Sequence, residues 1–80
     1  MPATFIREML TLPVRDARGD LLGHVGDFSL DIVSGAVNFI LVTPQPDIDS
    51  GRLPWPLDSG MLKIPVEEVA TVGSDIRLNR

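Results

Sequence analysis

Ala36-Val37-Asn38-Phe39-Ile40-Leu41-Val42-Thr43 is the stretch on which the fold turns. It is rich in β-branched and aromatic residues and too short for a buried helix, so it predicts a strand. Its centre, Phe39 to Val42, is apolar at every position. A strand with one face in water alternates apolar and polar side chains, so the outward face of this one needs cover, either from the loop that follows or from a second copy of the protein.

The same short period runs through the rest of the chain. Residues 14–16 read as a short strand, and Ala17-Arg18-Gly19-Asp20 as a turn with glycine free to take positive φ. Residues 21–31 form a long second strand whose interior glycines, Gly23 and Gly26, mark sharp coiling or the close approach of another backbone. Val33-Ser34-Gly35 reads as the hairpin turn leading into residues 36–43. Residues 61–65, 70–72 and 75–78 complete six strands, with a single short turn over 66–69 and a reversal at Gly73-Ser74. Residues 1–12 are ambiguous, since Phe5, Ile6, Met9 and Leu10 line one face of a helical turn bracketed by Pro2 and Pro13. They read as a lead-in that closes one end of a barrel.

Composition bounds the function. Eighty residues make one domain that buries about 60–65% of its unfolded surface. Hydrophobic residues at 44% against 22% charged place the chain among globular proteins and away from disordered ones. With no cysteine, neither a disulfide nor a thiolate metal site can support so small a core, which leaves packing helped by self-association. The net charge is −4, and the basic residues Arg7, Arg15, Arg18, Arg52, Lys63, Arg77 and Arg80 are scattered. Reading nucleic acid through its phosphates needs a clustered basic footprint, so the expectation is no nucleic-acid partner. The same acidity disfavours an anionic lipid surface. No apolar run is long enough for a signal peptide or a membrane span, so no direct membrane insertion and a cytoplasmic location are expected.

Few reactive side chains are available. The chain has no Cys, no Tyr and one His, whereas a nucleophile needs a base within hydrogen-bond reach. His24, beside two glycines on the long strand, is read as a half-buried strand histidine rather than a general base or pH sensor, because a base needs an orienting partner and a substrate pocket. Asp47-Ile48-Asp49-Ser50-Gly51 has the alternating oxygen donors of a calcium loop, but it lacks the register and the terminal bidentate glutamate. Asp16, Asp20, Asp27 and Asp31 sit at neighbouring hairpin ends and are read as caps of their own turns. No catalytic residue, cofactor or metal is expected.

Residues 44–60 are the longest irregular stretch, with Pro44, Pro46, Pro54 and Pro56 excluding helix and central strand. They carry the one tryptophan, in Leu53-Pro54-Trp55-Pro56-Leu57. Trp55 has two readings, an interface anchor on a stiff loop or a cap folded back over Phe39 and Ile40. A symmetric dimer makes both true, with Trp55 of one copy covering the strand of the other.

In their order along residues 10–78 these pieces resemble the PRC-barrel family, named for the cytoplasmic domain of the photosynthetic reaction centre H subunit and shared with a ribosome maturation factor. The likeness rests on Val14-Arg15-Asp16, Arg18-Gly19-Asp20 and Gly23-His24-Val25-Gly26-Asp27. It continues through Asp31 before Gly35, Ile64-Pro65-Val66-Glu67-Glu68-Val69, and Gly73-Ser74-Asp75-Ile76-Arg77-Leu78. The departure is the Pro-rich Trp55 loop, where many relatives have a Gly-rich one.

The resemblance implies an all-β fold, a small six-stranded antiparallel β-barrel, and a non-catalytic adaptor role. It is closest in kind to stand-alone archaeal members associated with cell division built on a tubulin-like FtsZ ring. A homodimer, a polymer or pairing with a paralogue is implied, with the cytoplasm or the division site as its place and cell-division proteins as partners. The expected interface is Phe39, Ile40, Leu41, Val42, Leu53, Trp55 and Leu57, with the face of residues 36–43 buried between two copies. The rival expectations are a regulatory module holding a small ligand or ion at the acidic turns, and a ribosome-assembly domain.

Overall fold

Period-two patterning becomes a single sheet in the computed structural model, which describes residues 6–80, with side chains from Glu8 onward. The strands are β1 (Pro13–Arg15), β2 (Leu21–Leu30), β3 (Val37–Pro44), β4 (Leu57–Asp58), β5 (Met61–Pro65), β6 (Val69–Val72) and β7 (Ile76–Leu78). Their order across the sheet is β4-β5-β3-β2-β1-β7-β6. The fold is all-β, and each of the six expected strands is present.

The arrangement differs from six antiparallel strands in two ways. A seventh strand, β4, arises inside the Pro-rich stretch. Ser59 and Gly60 take φ of 53° and 80°, the positive values a two-residue type I′ hairpin needs at both central positions, and this lays Leu57 and Asp58 against Leu62 and Met61. Second, β1 and β7 pair in parallel, Val14 beside Ile76, while every other neighbouring pair is antiparallel. The ladder begins at β4 and ends at β6, so the hydrogen-bonded sheet is open.

The sheet nevertheless wraps one core. Val14 of β1, Leu22 and Val25 of β2, Ile40 and Val42 of β3, Leu62 and Ile64 of β5, and Ile76 and Leu78 of β7 are buried in one cluster with Trp55. Strands spread across a whole sheet share a cluster only if the sheet curls. Register shifts between Val14 and Arg15 and between Val25 and Asp27 supply the bend. Gly23 makes it possible at the tightest point. A Cβ there would lie 2.0 Å from the Thr43 carbonyl oxygen, so any side chain would collide with backbone.

The lead-in forms one helical turn, Ile6–Met9, and then joins the sheet. The Thr11 amide donates to the Val25 carbonyl at 2.8 Å, and the Val25 amide to the Leu12 carbonyl at 2.9 Å. Met9 and Leu12 pack on the core, while Leu10 is exposed. The helical face expected from Phe5, Ile6, Met9 and Leu10 therefore holds at Met9 and fails at Leu10. Phe5 and the Ile6 side chain lie outside the described residues.

Candidate functional site

Strand parity divides the apolar run on β3. Ile40 and Val42 point into the core, while Phe39 and Leu41 point outward and are half-buried. Outside, Phe39 lies in register between Ser29 and Pro65, and Leu41 between Asp27 and Lys63. The Lys63 Nζ stands 4.5 Å from the centre of the Phe39 ring, a cation-π distance at which the lysine stem also screens apolar surface. The cover that the sequence required is thus partly supplied by the chain itself. Neither the following loop nor a second copy is needed to keep this face from being bare.

Trp55 is 5% exposed and belongs to the core of its own chain. Its Nε1 donates to Glu68 Oε1 at 3.3 Å, and the Arg80 guanidinium stacks over the ring at 5.6 Å. Arg80 also pairs with Glu68, and the Asn79 amide donates to the Glu68 carbonyl at 2.8 Å. Trp55 folds back into its own core, in one cluster with Ile40, but the expected cover over Phe39 is not found, because Phe39 lies on the opposite face of β3. Leu53 packs against the same cluster, whereas Leu57, on the terminal strand β4, is 50% exposed. The expected interface set is therefore dispersed: Ile40, Val42 and Trp55 lie inside, Phe39 and Leu41 on the outer sheet face, Leu53 beneath the loop and Leu57 at the sheet's end.

Most of the turn carboxylates are engaged by backbone amides. Asp16 Oδ1 accepts from the Arg18 and Asp20 amides at 2.9 and 3.0 Å, and Asp31 Oδ1 from the Val33 and Ser34 amides at 2.8 and 3.3 Å. Asp27, expected at a hairpin end, instead lies within β2 opposite Leu41, at a register shift, and its Oδ1 accepts from the adjacent Phe28 amide at 2.8 Å. Within the calcium-like stretch, Asp49 caps the 3₁₀ turn Ser50–Arg52 through the Gly51 amide at 3.2 Å. Among the described residues no three His, Cys, Asp or Glu side chains gather in a metal-binding group, and no buried side-chain polar atom lacks a partner. His24 is exposed rather than half-buried. It sits between inward-facing Gly23 and Val25, so parity turns it out.

The feature that sequence reading missed is at the β2–β3 turn. Ile32 and Val33 are 96% and 97% exposed. Asp31 is the available signal, since a capping aspartate fixes a turn too tight to fold its own side chains back. No protein-family model and no curated protein matches this chain. Among the described residues, no helix is long and apolar enough to cross a membrane.

Proposed function

We propose that this chain is a non-catalytic adaptor, a small β-barrel of the PRC type. One observation carries the reading. The turn-capping carboxylates Asp16, Asp31 and Asp49 are engaged by nearby backbone amides, and large aliphatic side chains stand free on the surface, including Leu30, Ile32, Val33, Leu57 and Val72. Such a surface favours association with protein over proton transfer or ion binding. In this reading the outer face of β3, with Phe39 and Leu41, meets other proteins, and self-association multiplies that face so that weak single contacts add to useful avidity. The resemblance supplies the setting, archaeal cell division on a tubulin-like ring, in the cytoplasm or at the division site.

Affinity capture with the intact chain tests this directly. Wild type retrieves division proteins, and Leu41→Asp, on the outer face, loses them while melting as a folded domain. A thermal-shift screen in which calcium or a metabolite raises the melting temperature, with no protein retained, overturns the reading.

A further inference from the structure

An apolar cavity of about 230 Å³ opens between the β2–β3 hairpin and the segment that carries Val66, Val69 and Val72. Phe28 and Val37, near the far end of the β2–β3 hairpin, form one wall; Val66, Val69 and Val72 form the other, with Ile40 at the floor. The protein also carries a matching plug. Ile32 and Val33 stand almost wholly in water at the tip of that hairpin, and the tip is rigidly built. Besides the two amides on the Asp31 carboxylate, the Asp31 amide donates to Ala36 O at 2.8 Å and the Gly35 amide to Asp31 O at 2.7 Å. Two β-branched side chains on a fixed turn lose little conformational freedom when buried.

We infer that the hairpin tip of a second copy of this chain docks in the cavity. The tip cannot enter its own cavity, because Phe28 and Val37 belong to the same hydrogen-bonded ladder, with Leu30 paired to Val37. Ile32, beyond the end of β2, is 96% exposed and so fills no part of its own cavity. The sizes agree. Seven side-chain carbons of Ile32 and Val33, at about 30 Å³ for a group the size of a water molecule, need about 200 Å³. Asp31 Oδ1 is held by the turn's own amides, and docking of Ile32 and Val33 must leave its other oxygen in water at the cavity mouth. Because the hairpin supplies both the plug and one wall of the socket, two copies related by a two-fold axis satisfy both sites at once.

This contact deepens the adaptor reading by naming where the second copy sits. Sedimentation velocity over a concentration series, with the full chain, tests it. The double variant Ile32→Asp/Val33→Asp alters side chains that touch nothing, and Val66→Asp/Val72→Asp alters the exposed rim of the cavity. Each variant alone is expected to weaken self-association at least about tenfold, the scale of one lost interface anchor. Mixed together, they regain a one-to-one complex, because one copy keeps its plug and the other its socket. Added salt strengthens wild-type association, since two copies of net charge −4 repel.

A monomer at every concentration overturns the inference, as does a tip variant that associates like wild type. A strict monomer also removes the avidity from the adaptor reading, whereas a tip variant that associates like wild type and still captures partners overturns this inference alone. If the tip variant stays monomeric but the mixture does not recover, the tip meets some other surface and the cavity is not its socket.

Discussion

Two regions rich in turn residues treat their apolar side chains in opposite ways. In residues 44–60, four prolines frame a tryptophan, and the segment lays that ring into the core and pins it with Glu68 and Arg80. At the β2–β3 turn, six residues hold Ile32 and Val33 out in solvent. Hydrophobicity does not separate the two cases; reach does. A segment of that length can curve back over the sheet, and its indole N–H finds a carboxylate there. A turn closed by Asp31 onto the amides of Val33 and Ser34 has no slack with which to bury anything.

The largest expected effect lies on the covered side. Trp55→Ala removes a core side chain that no neighbour can replace, at a cost of about 3–5 kcal/mol, most of the stability a domain of this size holds. Urea denaturation should show it, and a midpoint near wild type would mean that the ring is not packed as described. Gly23→Ala strikes where the hairpin meets the start of the loop, beside Pro44. Its Cβ overlaps the Thr43 carbonyl, with a cost of about 3 kcal/mol as backbone is forced apart.

Gly26→Ala is the control for that substitution. There the new methyl meets the ends of movable side chains, Met61 Sδ at 2.9 Å and Thr43 Oγ1 at 2.8 Å, and the cost falls to about 1 kcal/mol. Equal melting of the two alanine variants would refute the distinction. Glu68→Gln keeps an acceptor for the indole and loses the partly exposed pair with Arg80, worth about 0.5 kcal/mol and weaker still in high salt. Smallest is the bare side. Ile32→Ser with Val33→Ser should leave stability within about 0.5 kcal/mol in dilute solution, and a marked drop in the denaturation midpoint would show that the tip packs on its own chain after all.

Strand positions were legible because parity and turn residues are local. Met61–Pro65 appears at its expected limits, the strand expected over 21–31 ends one residue earlier, and that over 36–43 moves by one residue at both ends. Pairings set by distant partners were not legible. β1 runs parallel to β7, a pairing across most of the chain; β4 is a local hairpin through Ser59-Gly60, and it was hidden because the prolines just before it read as irregular chain. The candidate site divides along the same line. Capping by Asp16 and Asp31 could be read from neighbours in sequence, whereas the fate of Trp55 depends on Glu68 and Arg80, far along the chain.

The parallel pairing of Val14 with Ile76 joins segments separated by nearly the whole chain. Closing so long a loop costs entropy before any contact repays it, so the β2–β3 hairpin is the natural early structure in folding and the β1–β7 seam the late one. Hydrogen-exchange pulse labelling during refolding should therefore protect the β2–β3 amides before those of β1 and β7.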